Sequence, residues 1–267
     1  MAIARRSLIK RSAGALTLAG SGRLAHAAEN LRPVVVIGAT GRSAGPIIAQ
    51  ALEQGRRVTG LARRPERLTI DHPNFTAARG DVYDIDSLSD AMRGDEVVIS
   101  VIGRGLADVD SEPGYVDLYS VGGSATLQAM RRKGNKRIIT MTSGGTEQIP
   151  PAKPTNGDPS DEFVWRHRNV YGDMQRWERI LLRSDMEYVV LRPRRLIDGP
   201  IQNNLKLSVH RNHAAFDERS GGHRSSVTFA DVAAFTLAQC EGNGYLGTAV
   251  GIYSDVYLGA LPEASKD

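Results

Sequence analysis

The sequence contains little that would support a disulfide, a metal site or a membrane span. Cys240 is the single cysteine among 267 residues, so no disulfide can form within the chain. It lies in an apolar helical pattern, which is typical of a small buried side chain. The six histidines are scattered, and His210 and His213 lie in a polar stretch without an acid at ligand spacing. We therefore predict no metal site.

Basic residues are concentrated at one end of the chain. The formal net charge is +4, which on its own would favour nucleic-acid binding. Residues 1–28 contain no acid and five basic residues, which are Arg5, Arg6, Lys10, Arg11 and Arg23. Subtracting these five from +4 leaves −1 for residues 29–267. The nearly neutral body argues against DNA or RNA as a partner.

Residues 1–27 have the order of zones of an export signal. A basic region, ARRSLIK, precedes the weakly apolar stretch AGALTLAGSG, and Ala25-His26-Ala27 supplies a cleavage pattern. The Arg5-Arg6 pair resembles the twin-arginine export signal of bacteria. The apolar stretch is too short and too rich in glycine to span a bilayer, so stable membrane insertion is not expected. We expect recognition by export machinery and a periplasmic or secreted protein; a disordered basic tail and an organelle transit peptide are the alternatives.

Residues 28–267 alternate short apolar runs with helical patterns. The β-branched run at 33–39 is typical of a strand buried on both faces. Further strands are predicted at 57–63, 75–82, 96–103, 136–143, 187–193 and 248–253. The intervening patterns predict helices, with Gly55 and Gly134 as C-terminal stops and Asp86 as an N-cap. This alternation predicts one α/β domain with a Rossmann-like, doubly wound parallel sheet.

Two predicted connections are longer than usual for such a fold. They cover residues 103–115 and 144–163, and both follow predicted strands. Long loops at the carboxyl edge of a parallel sheet commonly shape a binding site. We expect them to be substrate loops.

The glycine-rich turn GATGRSAG lies where the first strand ends and the first helix begins. Gly38 lets the chain turn sharply, Gly41 removes a side chain where a pyrophosphate must approach, and Ala44 keeps strand and helix close. The helix N-terminus then offers N–H groups and a partial positive charge to the diphosphate. This arrangement predicts a dinucleotide site.

The end of the second strand selects between nicotinamide cofactors. NAD-binding proteins commonly place an acid there, whereas an arginine accommodates the 2′-phosphate of NADP. Here Arg63 and Arg64 follow the strand, and Arg42 adds a positive charge in the glycine-rich turn. The pattern favours NADP over NAD.

The segments VVVIGATGRSAG, VTGLARRPERL and RGDVYDIDSLSDAMRGDEVVISVIG resemble the atypical short-chain dehydrogenase/reductase superfamily. The resemblance covers nearly all of residues 33–240 and is strongest to the NmrA-like and biliverdin/flavin reductase B-like groups. It implies that the diphosphate is bound by Gly38, Thr40, Gly41, Arg42 and Ala44, the 2′-phosphate by Arg63 and Arg64, and the adenine by Asp81 and Val82. It also places Val101, Ile102 and Gly103 along the middle of the cofactor, Ser143 beside the nicotinamide, and Arg192 and Pro193 at the end of the sixth strand.

The resemblance also suggests catalytic residues, with one departure. Short-chain dehydrogenases usually pair a tyrosine with a lysine four residues later, but here Tyr171 is followed by Gln175. A neutral glutamine cannot lower the pKa of a tyrosine by charge. Either Tyr171 is a weak acid, or another group assists it, or the site works without a tyrosinate. His167, one turn earlier, and Ser143 are the other catalytic candidates.

The function expected from these residues is that of an NADP-dependent oxidoreductase. The substrate would be a small carbonyl, a quinone or a flavin-like molecule, and the protein a monomer or small homo-oligomer. Two alternatives stay open. One is an epimerase or isomerase that recycles tightly bound NADP within each turnover, and the other is a non-catalytic NADP sensor.

Overall fold

The computed structural model describes residues 31–103, 116–150, 152–211 and 225–257. Its strands are β1 Val34–Ile37, β2 Val58–Ala62, β3 Phe75–Arg79, β4 Val97–Ser100, β5 Arg137–Met141, β6 Glu187–Pro193, β7 Arg195–Ile197, β8 Lys206–Arg211, β9 Ser225–Thr228 and β10 Thr248–Tyr257. Its helices are α1 Ala44–Glu53, α2 Ile85–Asp90, α3 Leu118–Lys133, α4 Pro159–Arg166, α5 Arg168–Leu182 and α6 Phe229–Glu241. Short 3₁₀ turns cover Pro65–Arg67 and Gly144–Thr146. The predicted signal segment 1–27, most of the loop 103–115 and His213 lie outside the described residues.

The strands form one sheet in the order β3-β2-β1-β4-β5-β6-β10-β9-β7, and β8 pairs with β10. Strands β1 to β6 pair in parallel, as do β6 and β10, whereas β8 and β9 run antiparallel to β10. The order of strands reverses between β1 and β4, and this switch point is where ligands bind in such sheets. The predicted Rossmann-like α/β fold is confirmed.

The sheet is buried on both faces, and β1, at the switch point, is apolar throughout. Val34 and Val36 face one side, where they join a cluster with residues of α1 and α6. Val35 and Ile37 face the other side and pack with residues of α3 and α5. Burying one such side chain contributes about 1.5–3 kcal/mol. This two-sided burial is why the run at 33–39 could be recognised as a central strand.

Local signals were partly right about where elements begin and end. Gly55 and Gly134 end their helices with φ of 81° and 91°, in the left-handed region that favours glycine. The predicted cap Asp86 is wrong, because the side chain of Asp84 accepts from the N–H groups of Asp86 and Ser87. The predicted loop 144–163 is partly helical, since it contains a 3₁₀ turn and the start of α4. Strands β7, β8 and β9 were not predicted.

Candidate functional site

A cleft of about 430 Å³ opens at the switch point, between the ends of β1, β2 and β4 and the start of α3. Its lining includes many of the residues predicted to bind the cofactor, namely Gly38, Thr40, Gly41, Arg63, Asp81, Val82, Val101, Ile102 and Gly103. These residues come from four separate strand ends. The parallel sheet brings them together because every strand from β1 to β4 ends at the same edge.

The glycine-rich turn has the geometry that a diphosphate needs. Gly38 has φ of +84°, and a Cβ there would lie 3.0 Å from the carbonyl oxygen of Val101. The N–H of Gly41 donates to the Gly38 carbonyl at 2.9 Å, and the N–H of Ala44 donates to Gly41 at 3.0 Å. Ala44 is fully buried at the first position of α1. Gly38, Thr40 and Gly41 of this turn line the cleft next to the N-terminus of α1, and helix N-termini can bind anions.

The three predicted arginines differ in their surroundings. Arg63 is exposed and lines the cleft, whereas Arg64, also exposed, is not among its lining residues. Arg42 forms an ion pair with Asp198 at 2.8 Å, and its guanidinium lies 4.8 Å above the ring of Phe229. The side chains of that ion pair are 70% and 83% exposed, so the contact contributes at most about 1 kcal/mol. Arg63 is therefore the best-placed cation for a phosphate in the cleft.

Tyr83 and Asp117 form a wall of the cleft that the sequence did not predict. The phenol of Tyr83 donates to Asp117 Oδ1 at 2.9 Å, and its backbone N–H donates to Asp81 at 3.0 Å. Partial burial, together with the hydrogen bond and negative charge of Asp117, raises the pKa of Tyr83 to about 12. Tyr83 is thus neutral at physiological pH. No local pattern links two residues 34 positions apart, so this contact could only be found in three dimensions.

Ser143 and Tyr171 meet one strand beyond the cleft. Ser100 and Thr140 are a register pair of β4 and β5, and Gly103 and Ser143 each lie three residues further along. Ser143 is therefore at the same sheet edge as Gly103, although it is not among the residues lining the cleft. Its hydroxyl accepts from the N–H of Gly145 at 3.1 Å and forms a hydrogen bond with Tyr171.

The surroundings of Tyr171 have opposing effects on the pKa of its phenol. The residue is only 8% exposed, and burial raises the pKa of the phenol. The hydrogen bond with Ser143 and the positive charge of Arg194 lower it. The sequence left open whether another group assists Tyr171, and the structure places Arg194 in its surroundings.

Gln175, which stands where short-chain dehydrogenases usually carry lysine, has a positioning contact. Its Nε2 donates to the carbonyl of Thr146 at 2.7 Å. This bond ties α5 to the 3₁₀ turn that follows Ser143. Gln175 therefore fixes the distance between helix and turn without contributing charge.

His167 lies at the junction of α4 and α5 and is 5% exposed. Its Nδ1 is 2.7 Å from the carbonyl oxygen of Phe163, which fits a tautomer that donates from Nδ1. The imidazole lies 4.0 Å from the ring of Phe163 and 6.2 Å from that of Tyr171, measured between centroids. The structure thus brings His167 next to Tyr171, and its catalytic role stays a prediction.

Arg192 lies beneath the site in a buried ion pair. Its Nη2 is 2.5 Å from Glu178 Oε2, and both side chains are fully buried. Glu178 also accepts from the hydroxyl of Thr142 at 2.6 Å. Removing one partner of such a pair typically costs about 3–5 kcal/mol. The contacts of Arg192 are those of a structural residue; its cofactor contact, and that of the buried Pro193, stay predictions.

The described residues can also be compared with what the sequence indicated about metal ligands, Cys240 and membrane-spanning helices. Within them, no group of three or more His, Cys, Asp and Glu residues could hold a metal ion. The prediction that His210 lies in a polar loop without a partner acid is wrong, since His210 is on β8 with its Nε2 3.8 Å from Glu147. Cys240 is fully buried, and burial raises the pKa of its thiol to about 12. None of the helices in this part of the chain is long and apolar enough to cross a membrane.

Comparison with known proteins agrees with this geometry. A family model described as NAD(P)H-binding matches residues 38–242. A Rossmann-fold NAD(P)-binding family protein from Shigella flexneri is 23% identical with a TM-score of 0.59, covering 87% of this chain and 98% of that one. A wide-type short-chain dehydrogenase/reductase from Veillonella parvula, solved in complex with NADP, is 17% identical with a TM-score of 0.63, covering 87% and 99%. An anaerobillin reductase from Escherichia coli O157:H7 is 18% identical with a TM-score of 0.61, covering 85% and 100%. At these identities the solved structures establish the shared fold.

Proposed function

The chain belongs to the NAD(P)H-binding family, and on that basis we propose that it is an NADP-dependent oxidoreductase. Its substrate is a small carbonyl, a quinone or a flavin-like molecule, as in atypical short-chain dehydrogenases/reductases. The observation that carries the proposal is the position of Ser143 at the same sheet edge as the cofactor cleft, with the ring of Tyr171 packed against Gly145, whose N–H donates to Ser143.

The residues of the cleft fit a dinucleotide phosphate. Gly38 and Gly41 would let the diphosphate approach the turn closely, and backbone N–H groups at the N-terminus of α1 would bind it. Arg63 would hold the 2′-phosphate, and Asp81 and Val82 would lie beside the adenine, since all three residues line the cleft. When bound, the cofactor supplies the hydride that reduces the substrate.

Tyr171 and Ser143 supply the remaining chemistry. The phenol of Tyr171 donates its proton to the carbonyl oxygen of the substrate as that carbon is reduced, and the product is an alcohol. Ser143 holds the same oxygen through its hydroxyl. A proton donor at this position typically accelerates such a reaction by about 10²–10⁴-fold. Burial of Tyr171 keeps its phenol protonated before the substrate arrives.

The first test measures the rate at which the purified protein oxidises NADPH in the presence of a panel of acceptors, namely a small aldehyde, a quinone and free flavin. We expect NADPH to be oxidised with at least one of them, more rapidly than NADH. Nucleotide released on denaturation is identified in the same preparation. Repeated turnover of a substrate without added NADPH would contradict the proposal in favour of an isomerase or epimerase. NADPH binding without oxidation of any acceptor would favour a sensor.

We also propose that residues 1–27 direct export and are removed. The proposal is supported by the order of basic, apolar and cleavage zones, and by the position of this segment before the matched family region. Changing Arg5→Lys together with Arg6→Lys should abolish export, because the twin-arginine route reads the arginine pair rather than its charge. Cell fractionation with mass spectrometry of the N-terminus measures this.

The matched control is Arg11→Lys with Arg23→Lys, which makes the same chemical change outside the arginine pair. This control should be exported and should begin at residue 28. Equal export of both double variants would exclude the hypothesis that the protein is exported by the twin-arginine route. An intact N-terminus on exported protein would exclude cleavage.

A further inference from the structure

Two adjacent glycines separate a positive charge from the phenol of Tyr171. A Cβ on Gly144 would lie 3.0 Å from Cδ and Nη1 of Arg194, and that Nη1 donates to the Gly144 carbonyl at 3.3 Å. A Cβ on Gly145 would overlap Cζ of Tyr171. The guanidinium and the phenol therefore pack against neighbouring peptide units, and neither glycine places a side chain between them.

We propose that Arg194 is a positioning residue that supplies, from the end of β6, the positive charge that Gln175 cannot supply from α5. This inference rests on the proposed role of Tyr171 as proton donor. A positive charge close to a phenol stabilises the phenolate and so makes the phenol a better acid. The fold brings this charge to the tyrosine from a distant part of the sequence, through the peptide units of Gly144 and Gly145.

Three other ionisable groups lie around Arg194 and Tyr171. His167 lies beside Tyr171, with 6.2 Å between ring centroids. Glu147 is fully buried and binds Arg194 Nη2 at 2.8 Å, so it opposes the charge of Arg194. His210 Nε2 lies 3.8 Å from the other oxygen of Glu147. Among these charges, that of Arg194 lowers the pKa of Tyr171, against the larger effect of burial, which raises it.

The arrangement predicts opposite effects for two substitutions. Glu147→Gln removes the opposing negative charge, so the pKa of Tyr171 should fall. Adding Arg194→Met to Glu147→Gln removes the whole ion pair without leaving a buried charge unpaired, so the pKa should rise. We expect the pKa of Tyr171 to be about one pH unit higher in the double variant than in Glu147→Gln. Arg194→Lys keeps the positive charge, so the pKa of Tyr171 in this variant should stay close to its wild-type value.

The measurement uses full-length protein with 3,5-difluorotyrosine at position 171. Fluorination lowers the pKa of the phenol into a range where the protein stays folded, and the ¹⁹F shift reports ionisation of this side chain alone. Circular dichroism confirms that each variant is folded. The proposal is supported if the pKa increases from Glu147→Gln to wild type to the double variant. An unchanged pKa across the three proteins, or the reverse order, would overturn it.

A second readout separates this inference from the proposed function. In the direction of alcohol oxidation the phenolate takes the proton of the alcohol, so the rate rises as pH passes through the pKa of Tyr171. That rise should move to higher pH in the double variant by the same amount as the ¹⁹F titration. If Tyr171→Phe keeps full activity, the proposed function fails, but the titration still decides whether Arg194 controls the phenol. If Tyr171→Phe is inactive and the titration does not shift, only the role of Arg194 is wrong.

Discussion

Replacing Tyr171 with phenylalanine is expected to lower kcat by about 10²–10⁴-fold, the usual contribution of a positioned proton donor. The substitution removes one oxygen and leaves the ring packed against Gly145 in place. The affinity for NADPH should change little, because Tyr171 is not among the residues that line the cofactor cleft. Steady-state kinetics with the best acceptor, together with fluorescence titration of NADPH, measure the two quantities separately.

Tyr188→Phe is the matched control for this experiment. Tyr188 is also a buried tyrosine, and its hydroxyl donates to the carbonyl of Gly247 at 3.4 Å at the opposite end of β6 from Arg192. Both variants lose a buried hydroxyl, but only Tyr171→Phe loses the proposed donor. A similar loss of kcat in both variants would show that it comes from reduced stability of the folded protein rather than from loss of a proton donor. Full activity of Tyr171→Phe would remove Tyr171 from the mechanism and leave Ser143 and His167 as candidates.

Changing Arg63→Glu is expected to reverse the preference of the protein from NADPH to NADH. The substitution removes a charge-assisted contact with the 2′-phosphate and adds a negative charge that repels it. The change in relative affinity should be about 2–4 kcal/mol, or roughly 30- to 1000-fold in the ratio of dissociation constants. Titration of both cofactors at fixed ionic strength measures this ratio, which must be compared at one salt concentration because salt screens the contact.

Arg67→Glu provides the same change of charge at an exposed position in the following 3₁₀ turn, where the side chain does not line the cleft. It should lower NADPH affinity only slightly through long-range repulsion. Arg64→Glu should have an intermediate effect, since Arg64 adjoins Arg63 without lining the cleft. A ratio of dissociation constants that Arg63→Glu leaves unchanged would contradict the predicted 2′-phosphate contact. Tighter binding of NADH than NADPH by the wild type would contradict NADP as the cofactor.

Most of the sheet could be predicted because its signals are local. The run Val34–Ile37 is buried on both sides, so every residue in it must be apolar. By contrast, none of the three residues of Arg195–Ile197 is buried, and Ser225–Thr228 has serine or threonine at three of its four positions; these two strands pair with each other across a long separation in sequence. Their strand character comes from that pairing and from β10, which no window of sequence reveals. The misplaced cap at Asp86 has a local origin instead, because Asp84 and Asp86, two residues apart, carry the same capping signal.

The two halves of the candidate site, the cofactor turn and the surroundings of Tyr171, also differ in how far the sequence predicts them. Gly38 and Gly41 belong to one continuous turn whose chemistry requires glycine, and a strand and a helix flank it in sequence. The sequence by itself therefore determined the parallel strands β1 to β6, the dinucleotide turn and the place of Arg63 at the end of β2, because backbone sterics and periodic burial act between residues close in the chain. Only the tertiary structure decided that Asp117 meets Tyr83 and that Arg194 lies across Gly144 from Tyr171. Electrostatic and hydrogen-bond contacts depend on distance in space, and folding brings together charges whose separation in sequence carries no information.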